Sequence, residues 1–329
     1  MAEYTIIKLK HLSPLHMGTG KENYDFSASQ LHSDTLSAAL AAMKAKYIGI
    51  DGLDDFLNSF TISSAFPYVG EHFFLPRPLG KMNVTVTDCD EYISRKKLKK
   101  VQFIELGLWQ KMIAGERVEI ESDQLEDAFI LDKTDPKFCK PYKSSVHQRV
   151  VVPREDNKDT EPFFFDWTFF HQNAGLYCLI NAEKSLLKEL QELFEKLGED
   201  GIGTDKNVGG GKFTIEPGSL NIDGIEGEGT RKMLLSLYIP TKEEIEGIDL
   251  ENSTYELRLR GGYMAGSIDP KFWHLRKKSV YMFGVGSLLV TSSNLEGEIV
   301  DLCPENCLGV SNLHSAFRSG KPFVVSVKL

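Results

Sequence analysis

The chain has 329 residues, more than one compact domain usually holds, so its length favours two domains that each bury a core. Apolar residues make up 41% of the sequence and charged residues 26%, which excludes an intrinsically disordered or fibrous protein. The net charge of −9 means that any nucleic-acid site must depend on a local concentration of Lys and Arg.

Targeting and cysteine signals are weak. No stretch approaches the roughly 20 apolar residues of a membrane-spanning helix, and the N-terminus, MAEYTIIKLK, lacks the layout of a signal peptide. Five scattered cysteines argue against disulfides, and only Cys303 and Cys307 stand close together, without a second pair at zinc-like spacing. We therefore expect a cytoplasmic protein that uses neither metal nor cofactor and does not enter a membrane.

Periodicity predicts the first elements. Alternating apolar residues over 4–12 predict a strand with one buried face, and the Ala- and Leu-rich segment SDTLSAALAAMKAKY predicts a helix from Ser33. Ser33 and Asp34 offer oxygens that could cap this helix. FFLPRP from Phe73 predicts a strand edge, and VQFIELGLWQKMIAGE from Val101 predicts a second helix.

A hairpin and an amphipathic helix follow. Over about 146–170, two β-rich arms, RVVV and FFFDWTFF, flank the polar tip REDNKDTEP. GLYCLINA from Gly175 predicts a strand, and SLLKELQELFEKLG predicts a helix that ends at Gly198. The order of strand, helix, strands, helix and strand is that of a ferredoxin-like (RRM-like, split βαβ) module.

The element order predicts an α+β fold of two ferredoxin-like modules. The first would span residues 1–216 and contain the hairpin and a glycine-rich loop at 201–212. Residues 217–231 are rich in Gly and acidic side chains and predict a linker. Residues 232–329 hold further strand-like segments with little helical pattern, which favours a second, degenerate copy of the same module.

The segment GIGTDKNVGGGK predicts an anion-binding loop. Because glycine destabilises helices and strands, five glycines here suggest backbone that passes close to something, and bare amides can surround a phosphate. Lys206 and Lys212 favour this interpretation over a flexible surface loop. A Walker or Rossmann loop does not fit, because GGGKF precedes a strand and MGTGKEN lacks the spacing. The glycines are Gly201, Gly203, Gly209, Gly210 and Gly211.

Residues 137–154 form a local cation on an acidic chain. This stretch contains no Asp or Glu, so it could place a basic face on the protein. The hairpin tip that follows is acidic, with Glu155, Asp156 and Asp159, so the hairpin base is the better place for phosphate contacts. The cations are Lys137, Lys140, Lys143, Arg149 and Arg154.

Four motifs together carry a family resemblance. SPLHMGTG with LHSDTLSAAL, VHQRVVVPRE, GIGTDKNVGGGKF and KKSVYMFGVGSLL resemble the RAMP superfamily of CRISPR proteins. Within it, the chain is most similar to the fourth-subunit family of type III-A (Csm) effector complexes. The resemblance covers most of the chain. It implies a non-catalytic subunit of antiviral defence that binds crRNA, holds its 5′ repeat-derived tag and caps the complex.

The resemblance also implies partners and site residues. The partners are a large polymerase-like subunit and a backbone RAMP subunit. The hairpin would act as a thumb that kinks the guide, and the glycine loop would lie along the RNA. Ser33 and Asp34 match the N-terminal motif, with packing or capping as an open alternative to RNA contact. The candidate RNA-binding residues are His16, Gly18, His147, Gln148, Arg149, Arg154, Lys206, Gly209, Gly210, Gly211 and Lys212.

Two other functions stay open. A metal-independent RAMP endoribonuclease that processes guide RNA needs an acid and a base at the ribose 2′-OH, and His16 and Tyr24 are its candidates. No second histidine completes an evident catalytic pattern. A scaffold without RNA contact would leave the acid-free stretch unexplained. In the aromatic run 163–170, core packing accounts for most rings, and an exposed subset could seat a base or a partner subunit.

Overall fold

The computed structural model describes residues 2–18, 24–28, 30–133, 138–153, 159–223, 231–264, 272, 274–304 and 314–329. The fold is α+β, as predicted. No helix within these ranges is long and apolar enough to span a membrane. The helices are α1 (Ser33–Tyr47), α2 (Leu53–Asn58), α3 (Glu91–Leu98), α4 (Leu106–Ile113), α5 (Lys184–Asp200) and α6 (Lys242–Gly247).

The strands fall into two groups along the chain. Those of the first group are β1 (Ala2–Lys10), β2 (Phe60–Ile62), β3 (Phe66–Val69), β4 (His72–Pro76), β5 (Val84–Val86), β6 (Phe103–Glu105), β7 (Val118–Ile120), β8 (Leu125–Glu126), β9 (Phe129–Ile130), β10 (Tyr142–Val151), β11 (Glu161–Phe170), β12 (Ala174–Ala182) and β13 (Thr214–Ile222). Those of the second group are β14 (Arg231–Leu234), β15 (Asp249–Thr254), β16 (Leu257–Arg260), β17 (Val280–Phe283), β18 (Leu288–Val290), β19 (Ile299–Asp301), β20 (Phe317–Ser319) and β21 (Val324–Val327).

The main sheet has the strand order β13-β1-β12-β3-β4-β6-β9-β8, with β2 paired to β12. Strands β13, β1, β12 and β3 are antiparallel neighbours, and α1 and α5 follow β1 and β12 in the chain. The helix predicted from Val101 is only partly present, because Phe103–Glu105 form β6 and pair with β4 before α4 begins. Pairing with a neighbouring strand outweighs local helix propensity there.

Strand β1 is buried on both faces. Ile6 belongs to one hydrophobic core, whereas Ile7 and Leu9 belong to another that α1 and α5 cover. Side chains of a strand alternate between the two faces of its sheet, so the sheet separates the two cores. The sequence-based expectation of a single buried face was therefore wrong for this strand.

Helix α1 has the predicted bounds, but its start is built differently. The N-cap residue is His32, whose side chain makes no capping bond. The Ser33 hydroxyl instead accepts a hydrogen bond from the Leu237 amide at 2.9 Å, and Asp34 contacts two arginines of the C-terminal half. The capping alternative for Ser33 and Asp34 is wrong, because tertiary partners use both side chains.

The predicted linker starts too early. β13 continues through Pro217 to Ile222, paired with β1, and β14 begins at Arg231. Proline is tolerated because β13 is the edge strand of the main sheet. Residues 224–230 of the predicted linker lie outside the described ranges. One core contains Ile6 together with Met233 and Val325, so the two halves share buried apolar surface.

The C-terminal half has its own antiparallel sheet of order β15-β18-β14-β21. β16 and β17 form a separate two-stranded ribbon. Arg258 and Arg260 pair with Met282 and Val280 and share one face of this ribbon, and Leu257 and Leu259 occupy the other. The arginine face is directed towards the start of α1, where His32 and Asp34 contact the two guanidinium groups.

The Asp34 carboxylate joins the halves. The side chain of Asp34 is 0% exposed, and its carboxylate accepts bonds from Arg260 Nε at 2.9 Å and Arg260 Nη2 at 3.1 Å. Arg318 Nη1 donates to the same carboxylate, and Arg318 Nη2 donates to the Gly261 carbonyl at 3.0 Å. Burial alone would raise the pKa of Asp34, but the two guanidinium groups outweigh it and hold this pKa below its ordinary value.

Substitution Asp34→Asn tests this connection. It leaves two largely buried arginines without their counterion, so we expect the free energy of unfolding to fall by about 3–5 kcal/mol. Urea denaturation measures the loss, with Asp51→Asn, at an exposed position, as the control. An Asp34→Asn protein as stable as the control would contradict the assignment.

The same charge predicts a pH dependence. The pKa of Asp34 is lower in the folded protein than in the unfolded protein. The stabilisation by its ionised carboxylate is therefore complete at pH values above the unfolded pKa of about 3.9, and it is lost as pH falls through the lower, folded pKa. Stability of the Asp34→Asn protein should therefore fall less steeply than that of the wild type in acid.

Candidate nucleic-acid interface

The predicted hairpin is present and begins at Tyr142 rather than Val146. β10 and β11 are antiparallel, with Tyr142 opposite Phe170 at one end of the pairing and Val151 opposite Glu161 at the other. Residues directly opposite share a face, which gives an inner face with His147, Arg149, Phe165 and Trp167 and an outer face with Gln148 and Phe164. The candidate Arg154 lies outside the described residues.

Arg149 connects the inner face to the glycine loop. Its guanidinium lies over the rings of Phe165 and Trp167, with centroid distances of 5.0 and 5.9 Å, and its Nη1 contacts Asp205 Oδ2. The side chains of Arg149 and Asp205 are 34% and 30% exposed. The predicted hairpin base and the predicted loop therefore meet in space, although they are more than fifty residues apart in sequence.

The glycine loop runs from the end of α5 to β13 and is bound along residues 13–16. Backbone amides of Gly211 and Thr204 donate to the carbonyls of Pro14 and His16, both at 2.9 Å. The Ser13 hydroxyl donates to the Gly209 carbonyl at 2.8 Å and accepts from the Lys212 amide at 2.7 Å. These bonds fix both ends of the GGG segment against the N-terminal motif.

Gly210 and Gly211 serve internal packing. Both are buried, and their amides donate to the carbonyls of Asp205 and Pro14. A Cβ on Gly210 would lie 2.8 Å from Cη2 of Trp167, and one on Gly211 would collide with the Ile202 carbonyl oxygen. RNA binding by these two glycines stays a prediction, but it could not use free amides, because protein carbonyls already accept bonds from both.

Other candidates lie at the surface of this junction. Gly209 is partly exposed and has open space around its Cα, and Lys206 and Lys212 are exposed. Lys206 forms an ion pair with Asp200 at 2.7 Å, whereas Lys212 forms none with the described residues. Among the remaining candidates, Gly18, His147 and Gln148 are exposed.

His16 is not available to a ligand. It is 0% exposed, its Nδ1 lies 2.8 Å from the Asp166 carbonyl oxygen, and its ring lies 4.4 Å from that of Phe165. The hairpin covers the side chain, so the geometry gives no support to the RNA contact expected of His16, which stays a prediction. Tyr24, its supposed catalytic partner, has its ring centroid 6.2 Å away.

Two cations of the acid-free stretch 137–154 form ion pairs with acidic residues from other parts of the chain. Lys140 pairs with Asp127 and Arg149 with Asp205, acids that come from other segments. Lys143 stays exposed on β10, and Lys137 lies outside the described residues.

The sequence interpretation missed three residues of this junction. Asp205 stands within the glycine loop, Ser13 precedes Pro14 in the N-terminal motif, and Trp167 belongs to the aromatic run. The sequence signal for Asp205 was an acidic residue among glycines and lysines, because a carboxylate in such a loop requires a cation nearby. Nothing in the local sequence identifies Ser13 as the residue that binds both Gly209 and Lys212.

Comparison with known proteins agrees with these motifs. Residues 227–327 match the CRISPR Csm4 C-terminal domain family. The chain resembles Csm4 proteins. It is 23% identical over 278 residues to a Csm4 protein of Thermococcus onnurineus, covering 81% of this chain and 87% of the relative. A Csm4 protein of Mycobacterium tuberculosis is 24% identical over 291 residues, covering 86% and 87%.

Solved Csm4 structures share the fold. A chain from the crystal structure of a Csm3–Csm4 subcomplex of a type III-A interference complex superposes with a TM-score of 0.62 at 17% identity, covering 98% of this chain and 99% of that one. A chain from the crystal structure of a Csm1–Csm4 cassette with cA4 gives a TM-score of 0.59 at 20% identity, covering 100% and 99%. The family match and the relatives confirm the resemblance to Csm4 drawn from the motifs, and these structures show the same fold.

Gly211→Ala and Gly209→Ala form a matched pair that tests the packing role. Both residues have positive φ, 65° and 91°, but only Gly211 has a carbonyl oxygen where a Cβ would lie. We expect Gly209→Ala to lower the free energy of unfolding by about 1 kcal/mol and Gly211→Ala by about 3 kcal/mol or more. Thermal and urea unfolding measure both, and equal losses would contradict the close approach at Gly211.

Proposed function

We propose that the chain is a non-catalytic, crRNA-binding subunit of a type III-A CRISPR effector complex in the cytoplasm, where it serves antiviral defence. It holds the 5′ repeat-derived tag and caps the complex. One observation carries the proposal: the inner face of the hairpin meets the glycine loop, along which lie the exposed Lys206 and Lys212 and the partly exposed Gly209. The β10–β11 hairpin acts as the thumb that kinks the guide.

Strand order supports two ferredoxin-like modules. In the first half, β1, β3, β12 and β13 are arranged in the spatial order fourth-first-third-second, with α1 and α5 after the first and third strands. In the second half, β14, β15, β18 and β21 have the same order, with α6 after the first strand. The hairpin is an insertion between the second and third strands of the first module.

RNA contact in this proposal depends on side chains rather than on free amides. Lys212 offers an ammonium group beside the open backbone at Gly209, and Arg149 offers a guanidinium that exchanges Asp205 for a phosphate. Phe164 and Phe169 are 56% and 38% exposed and provide ring faces on which unstacked bases can rest.

The protein partners follow from the assemblies in which relatives were solved. Csm4 proteins appear in a Csm1–Csm4 cassette and in a Csm3–Csm4 subcomplex. By this likeness we propose that a large Csm1-type subunit and a Csm3-type backbone RAMP subunit bind the present chain. The endoribonuclease alternative has no supporting observation, since its candidate base, His16, is buried.

Co-purification tests the assembly. A tagged chain, expressed with its complex and a CRISPR array, should retain a short guide RNA, a large subunit and a backbone subunit. The isolated chain should leave repeat RNA uncut without metal. Cutting that His16→Ala abolishes would favour the enzyme instead, and a chain that retains neither RNA nor subunits would contradict the proposal.

The Arg149–Asp205 pair gives a sharper prediction. If phosphate competes with Asp205 for Arg149, Asp205→Asn should bind repeat RNA a few fold more tightly, and Arg149→Gln about tenfold more weakly. Fluorescence anisotropy over a salt series measures both. Glu246→Gln, at an exposed position of α6, makes the same charge change as Asp205→Asn. Equal affinities of Asp205→Asn and Glu246→Gln would show that Asp205 does not compete.

A further inference from the structure

A second group of cations, in the C-terminal half, lies at the start of α1. Residues 257–280 hold six Lys or Arg and a single acid, Asp269. Of the cations, Arg258 and Arg260 lie on the inward face of the ribbon, and Lys277 is on the opposing segment, where its amide donates to the Gly262 carbonyl at 2.9 Å. Arg318 approaches from β20.

The charges of this group do not balance. Arg260 and Arg318 share the Asp34 carboxylate, and Arg258 pairs with Glu256 at 2.7 Å. No carboxylate of the described residues forms an ion pair with Lys277, which is partly buried. Burial lowers the pKa of Lys277, and the neighbouring Arg318 lowers it further, against the opposite effect of Asp34. Four cations thus face two carboxylates.

Two buried donors at the same place lack an acceptor. His32 is 5% exposed, and burial lowers its pKa to about 3, so the ring is neutral. Its Nε2 lies 3.3 Å from Arg258 Nη1 and must accept, because a guanidinium only donates, so the proton is on Nδ1. Neither His32 Nδ1 nor Arg318 Nε has a hydrogen-bond partner among the described residues.

We infer that Lys277, Arg258 and Arg260 bind a phosphate group beside the start of α1. An anion there would neutralise the excess positive charge, and the start of a fifteen-residue helix adds further positive potential. Asp34 cannot neutralise this excess charge alone, since Arg260 and Arg318 already use both of its carboxylate oxygens. The inference rests on the proposed function in one respect, namely that the phosphate belongs to the bound RNA.

Lys277→Gln tests the inference, with Lys188→Gln on the acidic helix α5 as a control of equal charge change at an exposed position. Affinity for single-stranded repeat RNA is measured by anisotropy over a salt series. We expect Lys277→Gln to weaken binding about fivefold and to reduce the salt slope by about 0.7, as for one lost phosphate contact on a single strand. Its melting temperature should equal or exceed that of the wild type, since the folded protein disfavours the charged lysine.

A second experiment, with tripolyphosphate, distinguishes failure of this site from failure of the proposed function. Tripolyphosphate should raise the melting temperature of the wild-type chain and of Lys188→Gln more than that of Lys277→Gln. If both lysine variants behave alike towards RNA and tripolyphosphate, the inference is overturned while RNA binding stands. If the wild type binds no RNA but shows the Lys277-dependent stabilisation, the site takes a free phosphate compound and the proposed function falls instead.

Discussion

A buried carboxylate between two guanidinium groups constrains the whole molecule, because each of the three charges is stable at that depth only while the others remain. Asp34 lies in the first turn of α1, Arg260 in the ribbon and Arg318 in β20, so one helix of the N-terminal half fixes two separate segments of the C-terminal half. The hydrogen bond between Ser33 and Leu237 and the core shared by Ile6 and Val325 also hold the two halves together. This arrangement also concentrates cations at the start of α1, since the ribbon supplies more positive charge than Asp34 can neutralise.

Close packing fixes the conformation of the glycine loop, as the buried charges fix the two halves of the chain to each other. Carbonyl oxygens of Ile202 and His16 occupy the positions where side chains of residues 211 and 203 would begin, and the Trp167 ring occupies that of residue 210. The loop is thus a preformed support on which the hairpin rests. Because most of its amides are used internally, a nucleic acid would meet lysine and arginine side chains and the single open position at Gly209.

Local chemistry explains which features the sequence predicted. Alanine and leucine propensity placed α1 at its observed bounds, β-branched and aromatic residues around a polar tip placed the hairpin, and glycine content placed the loop. The failures concern partners that are distant in sequence. The role of Asp34 depends on residues 226 and 284 positions away, and burial of His16 depends on Phe165, about 150 residues further along. The linker failed for a related reason, since pairing with β1 keeps Pro217 in a strand.

Depth of burial separates the contacts of Asp34 with Arg260 and Arg318 from the contact of Asp205 with Arg149 in function. The Asp34 side chain is 0% exposed, so any exchange of its partners would leave a charge without solvent, and the contact is permanent. Arg149 and Asp205 are each about one-third exposed, where an ion pair is worth about 1 kcal/mol or less and water replaces a lost partner. An RNA phosphodiester carries one negative charge, as a carboxylate does, and also accepts two parallel bonds from a guanidinium, so it can compete for a pair that is held this weakly. The same two residue types therefore form a fixed connection at the centre of the fold and an exchangeable one where the hairpin meets the loop.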